Sequence, residues 1–246
     1  MAGNNPLHQF EIVKYAPINI GGVDVSFTNS SLFMVAAILT ASLFLILGMK
    51  KREMVPGRWQ ALSELSYQFV ANIIKDNIGQ EGRKFFPFIF TLFMFILFCN
   101  LLGMLPLGHY AFTSTSHIAV TFALALLVFF TVIIVGIARH GFHFLHLFVP
   151  SGLPKWLVPL IIPIEMMSFL ARPISLSVRL AAAMTAGHIL LKVIAGFVIM
   201  LGVVAGWLPL ILMVLLVGLE IFIAFLQAYI FSLLTSMYLN DAIHLH

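Results

Sequence analysis

Charge is scarce in this sequence: Asp, Glu, Lys and Arg make up only 9% of 246 residues, where a soluble domain carries about 25%. That excludes a water-soluble globular protein. There is one cysteine, Cys99, so an intramolecular disulfide is impossible and the thiol matches no metal-ligand spacing; within Phe98-Cys99-Asn100 it reads as a small packed hydrophobe. Glycine (17) and proline (11) are unexceptional, which excludes collagen-like repeats and low-complexity disorder. No P-loop or nucleophile motif occurs, which argues against an enzyme. Apolar surface is what the sequence has in quantity. A hydrophobic share of 61% and a mean hydropathy of +1.08 leave a polytopic membrane protein as the class. The net charge of +4 and pI near 9.4 do not indicate nucleic acid, because the charges flank the apolar runs.

Residues 1–30, with Pro6, Pro17, Gly21 and Gly22, lack the pattern of a signal peptide and read as an exposed tail. Residues 31–246 read as one membrane domain. Ser31 to Met49 is free of charge and long enough to cross a hydrocarbon core of ~30 Å at ~1.5 Å per residue. Phe85 to Leu107 and His117 to Ala138 are the second and third spans. Between the first two, Trp59, Leu62, Leu65, Phe69, Ile73 and Ile74 recur at helical spacing among polar residues, which predicts an interfacial helix over about 58–80. The alternative is a helix packed on the spans. Lys50, Lys51, Arg52, Arg58, Lys75, Arg83, Lys84, Arg139 and Lys155 fall on one face and only Lys14 on the other. The positive-inside rule therefore places the N-terminus outside.

Two apolar stretches exceed an upright span. Trp156 to Leu191 carries Glu165, Arg172 and Arg179, and Trp207 to Leu239 carries Glu220 and Gln227. At ~1.5 Å per residue they measure roughly 54 and 50 Å, so they must tilt by about 50° or more. Pro159, Pro163 and Pro173 are candidate kinks in the first. The expected fold class is an all-α polytopic membrane protein of about five membrane-embedded helices and an interfacial helix. The last two, about 156–191 and 193–239, form a long, strongly tilted hairpin, with Val193 to Gly206 part of the return. Gly202 and Gly206 form a small-xxx-small helix-contact pattern.

A charge at bilayer depth costs at least ~2.5–3.5 kcal/mol on insertion scales, so each needs a reason. Residues seven apart share a helix face to within about 20°. Glu165, Arg172 and Arg179 thus make one stripe, Glu220 and Gln227 another, and internal pairing of Glu165 with Arg172 is one reading of the first. Arg179 has no acid within two turns, and small residues surround it: Ala181, Ala182, Ala183, Ala186 and Gly187. Its counter-charge is expected on a partner. Arginine stays protonated, so Arg179 acts as a fixed field. A lipid-buried carboxyl brought within about 4 Å gains ~4 kcal/mol at an effective dielectric near 20, roughly three pKa units, and releases its proton there. His188 and Glu220 are relay candidates on facing helices; a packing histidine is the alternative for His188. His140, His143 and His146 recur every third residue, a spacing that hints at metal, but following Arg139 at a membrane boundary they read as solvated residues, and no metal or cofactor is expected.

The runs Pro163-Ile164-Glu165, Ser168, Arg172-Pro173-Ile174-Ser175-Leu176-Ser177-Val178-Arg179-Leu180 and Ala186-Gly187-His188 resemble the signature of subunit a of F-type ATP synthases. Similar too are Asn100-Leu101-Leu102-Gly103-Met104-Leu105-Pro106, the segment from His140 through Pro154, Gln227-Ala228-Tyr229 and Tyr238-Leu239-Asn240-Asp241-Ala242. The resemblance covers most of the chain. It implies a non-catalytic, proton-translocating stator subunit in a bacterial cytoplasmic membrane, less so a mitochondrial-type one. Its implied partners are a ring of small proteolipid c subunits, peripheral-stalk b-type subunits, the remaining ATP synthase subunits, membrane lipid and protons, and no nucleic acid. By the same resemblance Arg179 is the essential arginine and Gln227 its neighbour. His188 and Glu220 belong to the outer half-channel, and Glu165, Ser168 and Asn100 to the proton paths. The family usually has Asn four residues after the arginine, where this chain has Ala183. The rival readings are a self-contained proton-coupled secondary transporter and a structural membrane anchor. A transporter would be favoured by internal repeats, and none is found; an anchor leaves Arg179 and Glu220 without a reason for their insertion cost.

Overall fold

The computed structural model describes residues 13–16, 19–20, 23–24, 26–50, 53–105, 113–141, 144 and 158–244. Lys51, Arg52, Pro106, His143, His146, Pro154, Lys155 and Trp156, named above, lie outside the described residues, as does most of the tail. What is described of the tail forms two short strand pairs. β1 (Lys14–Ala16) runs antiparallel to β4 (Phe27–Thr28), and β2 (Asn19–Ile20) to β3 (Val23–Asp24).

Among the described residues six α-helices follow: α1 (Asn29–Met49), α2 (Arg58–Asn77), α3 (Phe86–Gly103), α4 (Ile118–His140), α5 (Val158–Ala205) and α6 (Trp207–Ile243). Among the described residues five helical segments are long and apolar enough to cross a membrane: α1, Gly79–Gly103, α4, Pro159–Gly202 and α6. Helices are the natural solution, since every backbone N–H and C=O in hydrocarbon must be satisfied within its own segment. Outward-facing Leu39, Leu43 and Ile46 of α1 and Phe130 and Ile134 of α4 are exposed, as lipid contact requires.

The third helix is central, meeting α1, α2 and α6, while α4 and α6 both pack on α5. Their common core joins Ile89, Phe93 and Ile96 of α3, Val128 and Val132 of α4, Leu176, Leu180 and Met184 of α5, and Ala228, Phe231 and Leu239 of α6. Where lipid is as apolar as leucine, packing and small contact residues hold helices together, and Ala125, Ala224 and Ala228 are fully buried at these crossings. The amphipathic α2 divides its faces. Val70 and Ile74 enter the core, whereas Trp59, Leu62 and Leu65 stay exposed.

Two sequence expectations for the last third change. The helix does not end near Leu191: α5 continues through the expected return to Ala205. Pro163 and Pro173 lie inside it without departing from helical dihedrals; only Gly202 departs, at φ 58° and ψ −160°. That left-handed region suits glycine, which has no Cβ to clash. With the Gly206 N–H donating to the Gly202 carbonyl at 2.9 Å, the Gly202/Gly206 pair is the hinge of the hairpin rather than a helix-contact face.

The two ends of the bundle are polar in different ways. At the end where α1 begins, the Ser114 hydroxyl donates to the Ser30 carbonyl at 3.2 Å. At the other end Arg139 pairs with Glu81, and Arg172 of α5 with Asp241 of α6 at 3.0 Å.

Candidate proton-transfer site

Near the α1-start end, α5 and α6 bring His188 and Glu220 together. The imidazole Nδ1 lies 3.2 Å from the Glu220 carboxyl Oε1, and the side chains are 10% and 4% exposed. The approach has ion-pair distance, but neither carboxyl oxygen is aligned for a hydrogen bond. A buried carboxyl in that position is costly unless it is protonated or faces a cation; the adjacent imidazole can supply either a proton or a charge. Gly187 makes the approach possible. A Cβ there would stand 2.8 Å from Glu220 Oε1.

On its far side the same imidazole meets Thr113, whose Oγ1 is 2.6 Å from His188 Nε2. Thr113 begins a hydroxyl run continued by a 3-10 turn, Ser114–Ser116, linking α3 to α4. Asn100, at 0% exposure, ties that turn to α6. Its Nδ2 donates to the Ala224 carbonyl at 3.1 Å and its Oδ1 accepts from the Thr115 hydroxyl at 2.7 Å. Thr185 of α5 completes the enclosure, donating to the Ser116 carbonyl at 3.3 Å. Four elements thus converge on one buried polar cluster of hydroxyl, amide, imidazole and carboxyl.

Arg179 is placed apart. It lies nine residues before His188, roughly 13 Å along the helix axis, and half a turn round it. Unlike His188 it is exposed, with no ion pair or hydrogen bond among the described residues. Exposed near it on the same face are Ala171, Ser175, Ala182 and Ala186, so an open strip of small side chains flanks the guanidinium. Gln227 of α6 is half-buried, and no hydrogen bond joins it to Arg179. Glu165 is half-buried and has no partner among the described residues. The pairing of Glu165 with Arg172 does not form. Arg172 instead turns to Asp241, its guanidinium 5.5 Å from the Phe169 ring centre and 4.9 Å from that of Tyr238.

Of the residues expected from sequence, His188, Glu220 and Asn100 therefore fall in one cluster, and Arg179, Gln227, Ser168 and Glu165 outside it. Thr113, Thr115 and Thr185 were not anticipated; the signal for the first two was a run of four hydroxyl residues between apolar spans. Among the described residues no three His, Cys, Asp or Glu side chains converge as metal ligands, and His140 lies against the Ile243 carbonyl at 3.0 Å.

Comparison with known proteins gives a consistent result. A family model described as ATP synthase A chain matches residues 30–240. Proteins named ATP synthase subunit a are similar over nearly the whole chain. That of Rhizobium leguminosarum is 58% identical over 247 residues, that of Chelativorans sp. 59% over 246, and that of Pelagibacter ubique 56% over 243, each alignment covering 98% of both proteins.

Proposed function

The chain belongs to the ATP synthase A chain family, a proton-translocating membrane subunit without catalytic activity of its own, and on that premise we propose that Arg179 is the fixed charge past which its protons are handed. The observation that carries the proposal is the exposed, unpaired Arg179 on an open strip of small residues, set between two polar regions at opposite ends of the same helix pair. His188, Glu220 and Asn100 lie toward the α1-start end. Glu165 and Ser168 lie the other way, eleven or more residues before Arg179, roughly 16 Å or more along the axis.

Neither region crosses the protein alone. Each is a half-channel, and the gap between them is bridged by something that moves past Arg179. The small-residue strip suits close approach by another helix carrying a carboxyl, and a ring of small proteolipid subunits supplies such helices in turn. Beside the guanidinium the carboxylate is favoured and its proton departs; away from it, in lipid, the neutral acid is favoured and a proton is taken up. Peripheral-stalk subunits would hold the chain against the moving ring. The exposed apolar rows of α1 and α2 offer surfaces for them and for lipid. The basic side faces the cytoplasm of a bacterial cell and the α1-start end faces outward. A self-contained transporter does not account for a guanidinium presented on an outer face.

Mass analysis of the gently solubilised complex tests the assembly: a small proteolipid and stalk subunits should accompany the chain, and their absence would refute it. Arg179→Ala should abolish proton-driven ATP synthesis in membrane vesicles while the complex still assembles. Arg179→Lys should largely fail too, because an ammonium lacks the planar fork and can lose its proton when desolvated. Normal synthesis in either variant would overturn the fixed-charge role.

A further inference from the structure

We propose that Thr113 is a positioning residue for His188, its hydroxyl holding the imidazole through both protonation states as a proton passes; this rests on the reading of His188 as part of the proton path. The distance is short, 2.6 Å from Oγ1 to Nε2, and both residues are buried, at 4% and 9% exposure. The opposite ring nitrogen faces Glu220 at 3.2 Å. A histidine that gains and loses a proton between two partners changes what it offers at each nitrogen. With the proton on Nδ1, toward Glu220, Nε2 is an acceptor; as the cation, Nε2–H is a donor. A carbonyl could serve only the second form and an amide N–H only the first. A hydroxyl serves both by rotating about its own C–O bond.

The surroundings fix where that hydroxyl stands. Ser114 is tied to the start of α1 through the Ser30 carbonyl, Thr115 to α3 through Asn100, and the Ser116 carbonyl to α5 through Thr185. Three helices therefore hold the backbone that carries Thr113. From behind, Gly103 at the end of α3 leaves room for it; a Cβ at that position would overlap the threonine hydroxyl. Such anchoring is more than loop closure needs, and it delivers one hydroxyl to one ring nitrogen. With the hydroxyl lost, Nε2 is left buried without a partner, a penalty that falls most heavily on the charged form, whose hydrogen bonds are the stronger.

The test uses the intact complex in inverted membrane vesicles, with ATP-driven acidification as the readout and Arg179→Ala as the reference for lost proton transfer. Thr113→Val keeps the shape and removes the hydroxyl; Thr113→Ser keeps the hydroxyl and removes the methyl. Acidification should fall at least tenfold in Thr113→Val and stay within about twofold of wild type in Thr113→Ser. Should the valine variant fail to assemble, Thr113→Ala and Thr113→Ser, which differ by the hydroxyl alone, read the same quantity. A valine variant as fast as wild type, or valine and serine variants slowed alike, would overturn the inference and assign Thr113 to packing. If Arg179→Ala acidifies normally, the proton-path reading itself fails, independently of Thr113.

Discussion

Replacing Gly187 by alanine tests whether the His188–Glu220 geometry matters for flux, and the expected size of the effect can be worked from the contact. A Cβ at 187 would sit 2.8 Å from Glu220 Oε1 and 3.3 Å from Cδ, while ordinary contact begins near 3.4 Å. The carboxyl must therefore retreat from α5 by about 0.6 Å to regain a normal separation. His188 rides on α5, so its 3.2 Å gap to Oε1 opens to roughly 3.8 Å. For a charged pair at an effective dielectric near 20, attraction weakens by about 0.8 kcal/mol, about fourfold in the population of the coupled state. Acting against this, alanine in a helix is favoured over glycine by about 0.5–1 kcal/mol, so the complex should be no less stable. Gly196→Ala on the same helix is the matched control, because a Cβ there meets nothing within 4 Å. ATP-driven acidification should drop roughly fourfold or more in Gly187→Ala and be unchanged in Gly196→Ala. Equal rates in the two variants would refute the claim that the closeness of Glu220 to α5 governs proton passage.

The exchange His188→Glu with Glu220→His should recover more flux than the two single exchanges predict by addition, since contacting residues couple; a double variant no better than the worse single one would show that they do not. Asn100→Leu should lower the thermal stability of the complex by about 1–3 kcal/mol, because the Thr115 hydroxyl and the Ala224 carbonyl lose their buried partner, and an unchanged melting temperature would contradict that network. Asp241→Asn should cost only about 1 kcal/mol or less by the same measurement. The pair is part-exposed, with side chains 26% and 41% accessible, and such pairs contribute little. In oriented bilayers α6, roughly 55 Å long, should lie far from the membrane normal; an upright α6 would refute the length argument.

Much of this was legible in the sequence for a physical reason. Spans are long apolar runs because hydrocarbon demands them, so α1, α3 and α4 could be located from hydropathy alone. Intramembrane charges are expensive, so Arg179 and Glu220 stand out in the sequence as candidates. The end of α5 was less legible. Lys192 and the glycines at 196, 202 and 206 resemble a span boundary, yet a helix can carry a lysine on an exposed face, and only Gly202 adopts a dihedral that breaks it. The strand pairs before α1 were invisible because two or three residues cannot display a period. Thr113 carries no distinguishing signal in the sequence, because hydroxyl runs between spans are ordinary turn composition. Its use depends on which helix the turn faces, and that is a property of packing rather than of local sequence. Arg172 likewise found Asp241, 69 positions away, in place of the acid two turns before it.

The hinge at Gly202 and Gly206 has a metric consequence. His188 lies fourteen residues before the first glycine and Glu220 fourteen after the second, so equal helical rises of roughly 21 Å bring the two level across the fold. Chain length is here the ruler that sets one side chain opposite the other. One residue inserted between the hinge and Glu220 would carry the carboxyl on by ~1.5 Å and swing it by about 100°, out of the interface altogether. A sequence of this kind can vary freely in the side chains it shows to lipid, yet it cannot change the count of residues on either arm of the hairpin without compensating on the other.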